Sequence, residues 1–276
     1  MLTSLVVIIG LSLAAGLGGW FYLSYCRVTR PPIGVFNYYD LAVLAIFIIV
    51  TPYLYLILPS WIAGGLLVLS GGSILYLTLE GMLPGMRRGL VTSLVLVLLF
   101  LDIQTSLLSG LEINLKYGIN NLVLLLIVIG LANLWVQTGM RAAHAVLLGA
   151  FLTGYDFVAT SLNSVTGNLF EKLAGLPLSP LFGWASGKAV ITLGMGDLLL
   201  ATVFPLVMRK AYRGWAGLSA FGINQLAIGV LLVLPLQGVF PVMVVLGPLM
   251  LIQYFWWHSR AIKKKPYAKS KVMTLS

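Results

Sequence analysis

The sequence predicts an all-α membrane protein that crosses the bilayer about nine times. Three observations carry this. Of 276 residues, 60% are hydrophobic and 9% are charged, whereas soluble domains carry about 25% charged residues. Seven Asp and Glu residues cannot clothe a water-soluble surface of this size. Apolar stretches close to the roughly 20 residues that span hydrocarbon as helix recur from end to end. They lack the alternation of a membrane β-barrel, and no polar stretch is long enough for a second, soluble domain.

The predicted spans run in order. Leu2–Tyr25 lacks a basic leader and is too long for a signal-peptide core, so it reads as a retained helix. Tyr39–Leu58 and Trp61–Leu79 are parted by Pro59-Ser60, and the proline together with the combined length calls for a turn. Leu90–Leu108, Asn120–Val136, Ala142–Asn163, Ala189–Met208, Leu218–Leu236 and Gly238–Trp257 complete the set. The connection Ser164–Lys188 is long and amphipathic, and reads either as an interfacial segment or as a gate. Three regions follow: five scaffold helices in 1–137, four helices carrying the candidate chemistry in 138–258, and a basic cytoplasmic tail in 259–276.

The net charge of +10 is topological. With the C-terminal cluster of Arg260, Lys263, Lys264, Lys265, Lys269 and Lys271 placed inside, nine spans also put Arg27, Arg30, Arg87, Arg88, Arg141, Arg209, Lys210 and Arg213 inside. Only Lys116, Lys172 and Lys188 fall outside, fourteen against three. The positive-inside rule then places the N-terminus outside and the C-terminus in the cytoplasm. The basic excess fits anionic lipid as a secondary partner, and nucleic-acid binding is the less economical reading. One cysteine, Cys26, allows no intrachain disulfide. Short connections point to a microbial cell membrane.

Acids inside a membrane are costly and mark function by default. Glu80, Glu112 and Glu171 are expected in loops, and Asp40 at the inner end of the second span. Asp102, Asp156 and Asp197 remain. Counted along the sixth and seventh spans, Asp156 and Asp197 both fall roughly 10–13 Å below the outer surface. Two carboxyls at one depth on consecutive antiparallel helices can meet. Close together they share a proton, so one can serve as general base on a water while the other assists the scissile carbonyl. Such chemistry needs no metal or other cofactor. Asp197 ends the run Gly194-Met195-Gly196-Asp197, whose glycines let backbone or an extended substrate approach. Asp156 follows Tyr155, whose hydroxyl is a candidate to orient a carboxyl or line a cleft.

Gly-Tyr-Asp on the sixth span, Gly-x-Gly-Asp on the seventh and nine spans resemble the presenilin and signal peptide peptidase family of intramembrane aspartyl proteases. The family's third motif, Pro-Ala-Leu, has its counterpart in Pro241-Val242-Met243, with Pro248 following. Valine and methionine replace the alanine and leucine, and Phe240 stands where a polar residue is common. The resemblance covers roughly Ala142 to Trp257. It implies a presenilin-like fold, a catalytic dyad of Asp156 and Asp197, and substrate contacts at Tyr155, Gly194, Gly196, Pro241, Val242 and Met243. It implies single transmembrane helices or remnant signal peptides as substrates, and the predicted orientation matches the signal-peptide-peptidase branch. Cleaving such a helix means unwinding about a turn of it, at several kcal/mol for each freed polar group in hydrocarbon. Pro241 is expected to free carbonyls one turn earlier in the last span, which makes that span the candidate cradle.

Other polar residues read as structural. Asp102 is expected to be partnered or wetted near Gln104, with a role as third acid as the alternative. His144 and His258 are too scattered for a metal site. Asn224 and Gln225 read as interhelical hydrogen-bonding groups, and Trp20, Phe21, Trp256 and Trp257 as interfacial anchors. Competing functions are a proton- or cation-coupled transporter, a catalytically silent family member acting as a binding subunit, and a prepilin-type peptidase. The last works near the cytoplasmic face, whereas both acids here fall in the outer half.

Overall fold

The computed structural model describes residues 2–28, 35–108, 112–162, 165–187, 189–234 and 240–263. Arg30, Lys188, Lys264, Lys265, Lys269 and Lys271 of the charge count lie outside them, as does the expected start of the last span at Gly238. In chain order the elements are α1 (Leu2–Tyr25), α2 (Tyr38–Ile57), α3 (Ser60–Met82), α4 (Arg88–Leu107), α5 (Ile113–Gln137) and α6 (Ala142–Asp156). A π-helical segment (Phe157–Leu162) continues α6, and α7 (Val165–Leu173) follows. Strands β1 (Leu181–Ser186) and β2 (Ala189–Gly194) precede α8 (Met195–Tyr212), α9 (Gly214–Val233) and α10 (Met243–Lys263). Among the described residues, seven helices are long and apolar enough to cross a membrane: α1 to α5, α9, and α6 taken together with its π-helical continuation as Ala142–Thr160. The chain is an all-α, multi-pass helical membrane protein, with one β-hairpin among the described residues.

Local chemistry explains the boundaries. Asn37 caps α2, its side chain accepting from the amides of Tyr39 and Asp40 while Asp40 accepts from Asn37 in return. The predicted break between the second and third spans is present. Helix α2 ends at Ile57, and Pro59 caps α3. Glu80 and Glu171 are not in loops as expected: Glu80 lies in the last turn of α3 and Glu171 in α7. Helix α3 runs past the apolar stretch from which its span was read, and α7 is a short helix inside the expected connection.

Helix α8 is the central post, buried continuously from Leu198 to Met208. Helices α1, α5, α6, α9 and α10 pack around it, and α3 and α4 lean on α5. Helix α2 buries no residue and touches the body through α6 and α7.

The main correction concerns Ala189–Met208, expected as one helix. Its first six residues are strand β2, paired antiparallel with β1 from Leu181↔Gly194 to Ser186↔Ala189. The turn starts at Gly187, whose φ of 63 suits a two-residue hairpin connection. Non-helical backbone at membrane depth survives only where its polar groups are satisfied. Three asparagines of α5 do this for β1. Asn121 both donates to and accepts from Gly183, Asn120 donates to the carbonyl of Leu181, and Asn114 accepts from the amide of Ala185.

Candidate functional site: two aspartates beside an open strand edge

Asp156 is the last residue of α6. The π-helical widening after it carries Thr160, whose hydroxyl donates to Asp156 Oδ1 at 3.0 Å. The backbone amide of Met243, at the start of α10, donates to Oδ2 at 3.2 Å. Thr160 also meets Thr166 of α7, hydroxyl to hydroxyl, at 3.0 Å. Helix α10 reaches this point because α6 and α10 touch backbone to backbone. A Cβ on Gly247 would run into the Thr153 hydroxyl and lie 2.7 Å from the carbonyl oxygen of Gly149. Thr153 in turn donates to the Met243 carbonyl at 3.1 Å.

Asp197 occupies the first turn of α8, not its interior as the depth argument expected. Gly194 is the last strand residue and the helix cap. A Cβ there would fall 2.9 Å from Asp197 Oδ2 and 3.8 Å from the ring of Phe170 in α7. The glycine therefore leaves the space into which the carboxyl folds. Gly196 faces open space, with nothing within 4 Å of a would-be Cβ. Both aspartates are half-buried, and their carboxyls lie close enough to interact electrostatically. Asp156 accepts two hydrogen bonds, whereas none reaches Asp197 among the described residues.

The hairpin leading to Asp197 has two unlike edges. Leu181, Gly183 and Ala185 turn their backbone groups toward the asparagines of α5. By strand alternation Phe182, Trp184 and Ser186 pair with β2. The register then leaves Val190, Thr192 and Gly194 with backbone groups facing outward. Val190 and Thr192 are exposed, and no side chain bonds to this outer edge among the described residues.

The structure thus brings together Asp156, Asp197, Gly194, Gly196 and Met243, the last through its main chain. Pro241 is buried just ahead of α10, and its carbonyl accepts the Val244 amide at 3.2 Å. Helix α10 begins at Met243, and the turn whose carbonyls Pro241 was expected to free lies outside the described residues. Val242 packs against the core. Tyr155 stacks on Phe151 with ring centroids 6.3 Å apart, and its hydroxyl makes no hydrogen bond to either carboxyl among the described residues. Asp102 is partnered, as one expectation had it: it is fully buried, and its carboxyl accepts the backbone amide of Leu178, not a bond from Gln104. His144 closes the start of α6, accepting from the Arg141 amide. Asn224 and Gln225 do bond across helices, to Ala201 and Ser12. Sequence reading missed Thr160, Thr166 and the strand. The β-branched run Val190-Ile191-Thr192 after Ser186-Gly187 was the available signal for the strand. Among the described residues no three His, Cys, Asp or Glu side chains gather into a metal-sized group.

No protein-family model matches the chain, and no curated protein matches it.

Proposed function

We propose that the chain is an intramembrane aspartyl protease that hydrolyses peptide bonds within transmembrane helices or remnant signal peptides, with Asp156 and Asp197 as its dyad. One observation carries the reading. Three motifs far apart in sequence, Tyr155-Asp156, Gly194-x-Gly196-Asp197 and Pro241-Val242-Met243, meet at two interacting carboxyls, with the third motif's amide bonded to Asp156 across 87 residues. In this reading α8 and α10 also cross the membrane, giving nine spans in a presenilin-like fold with the N-terminus outside and the C-terminus in the cytoplasm. Anionic lipid is the surrounding partner, the setting is a microbial cell membrane, and neither metal nor nucleic acid takes part.

The roles divide by hydrogen bonding. Two donors to a carboxylate are each worth about 1.5–3 kcal/mol, more than the roughly 0.3–1 kcal/mol that a helix N-terminus offers Asp197. Asp156 is therefore the base that takes a proton from water, and Asp197 carries the shared proton to the scissile carbonyl oxygen. An unwound substrate segment needs partners for its freed amides and carbonyls. The outer edge of β2 offers them at Val190, Thr192 and Gly194, in the manner of strand addition, and the edge runs directly into Asp197. Gly196 keeps the approach clear.

The test is cleavage of single-helix reporter peptides by the purified chain, with a transition-state-mimicking aspartyl protease inhibitor as control. Inhibitable cleavage with a bell-shaped pH profile, as a proton-sharing pair requires, supports the proposal. Inhibitor-insensitive cleavage, or proton flux in liposomes with no cleavage, overturns it.

A further inference from the structure

Asp102 lies on α4, remote in sequence from both candidate catalytic aspartates, and its exposure is 0%. Its Oδ2 accepts the backbone N–H of Leu178 at 2.6 Å. Its Oδ1 has no partner among the described residues. A buried carboxyl held by a single amide is a costly device, and the residue it holds is unusual. Leu178 has a φ of 49, in the left-handed region that non-glycine residues avoid.

The turn around Leu178 is gripped from three helices. Asp102 holds it from α4. The buried Leu178 side chain packs against Gly71 of α3, where a Cβ would collide with it. Asn120 of α5 donates to the carbonyls of Ser179 and Leu181, each at 3.1 Å. Two residues beyond Leu178, the carbonyl of Pro180 accepts the N–H of Met195 at 2.9 Å. Met195 opens α8, and Asp197 stands two residues further on.

We infer that Asp102 is a positioning residue for the candidate dyad: it locks the Leu178 turn in its left-handed form, so that Pro180 fixes the first turn of α8 and with it the carboxyl of Asp197. The inference rests on the protease reading of Asp156 and Asp197. The strut requires an acceptor at position 102, not a charge. Asparagine keeps an acceptor for the Leu178 amide, whereas leucine removes it at similar volume.

The experiment uses the full chain in detergent, comparing wild type, Asp102→Asn and Asp102→Leu. Amide hydrogen exchange is followed by mass spectrometry, and kcat and KM are measured on a helix reporter. For Asp102→Leu we expect exchange across 176–197 to quicken at least about tenfold, with α6 and α10 unchanged. We expect kcat to fall about a hundredfold, as displacement of a reacting group by about 1 Å produces, with KM within about twofold. Asp102→Asn should restore both, with an unaltered pH profile. Should the leucine variant fail to fold, Asp102→Ser, whose hydroxyl is too short to reach the amide, carries the same expectations.

Unchanged exchange across 176–197 in Asp102→Leu overturns the strut, whether or not the chain cleaves anything. A large loss of kcat or a moved pH limb in Asp102→Asn overturns the positioning role in favour of proton chemistry at Asp102. If wild type cleaves no reporter, the protease reading falls by itself and the exchange result still decides the strut.

Discussion

Around Asp156 the protein works with hydrogen bonds between helices. The Thr160 hydroxyl and the Met243 amide close on the carboxyl, and Thr153 and the Gly149–Gly247 contact bring α10 near enough for this. Around Asp197 it works with shape: a glycine clears space for the carboxyl, a hairpin delivers it, α5 holds one edge of the hairpin and α4 holds the Leu178 turn ahead of it. One corner fixes the charge and the other fixes a position. A pair of acids sharing one proton gains from that asymmetry, because it decides which carboxyl is the base.

Asp156→Asn and Asp197→Asn should each lower reporter cleavage at least about a thousandfold, since groups acting as a unit fail together. Full activity in either variant would end the dyad assignment. Next comes Gly194→Ala. The added methyl must push Asp197 Oδ2 aside, and displacement of about 1 Å costs about a hundredfold, so kcat should fall while the fold, followed by circular dichroism, persists. On the other corner, Thr160→Val removes one of the two donors to Asp156. We expect a loss of kcat of about tenfold, equivalent to about 1.4 kcal/mol, with KM little changed. The smallest effect belongs to Gly196→Ala, whose methyl meets nothing in the protein. Its cost should appear as a KM raised a few-fold in steady-state kinetics, with kcat intact. Equal effects of the two glycine substitutions would show that shape at Gly194 is not what sets Asp197.

Much of this asymmetry was invisible in the chain. Gly-x-Gly-Asp was legible as a motif whose glycines clear an approach, but both were placed within a helix because the apolar run Ala189–Met208 has helical length. A strand buried on one side and a helix cannot be told apart by continuous hydrophobicity alone. The strand's partner, β1, lay inside a connection read as interfacial or gating. The closed edge of β1 then depended on asparagines that sit more than 60 residues away. Asp102 was legible as an anomaly, yet its partner is a backbone amide 76 residues distant, which side-chain chemistry does not announce.

The amino-acid sequence by itself determined the membrane class, the positions of most helices, the break at Pro59 and the two aspartates worth pairing. These are properties of composition, local apolar length and the cost of a carboxyl in hydrocarbon, all of which act within a few turns of chain. Tertiary structure alone decided that Asp197 opens a helix instead of lying within one, that Met243 reaches Asp156, and that one strand edge is closed and the other open. Those outcomes depend on where backbone donors and acceptors find partners when no water is at hand, and the partners come from helices that meet only in the folded bundle.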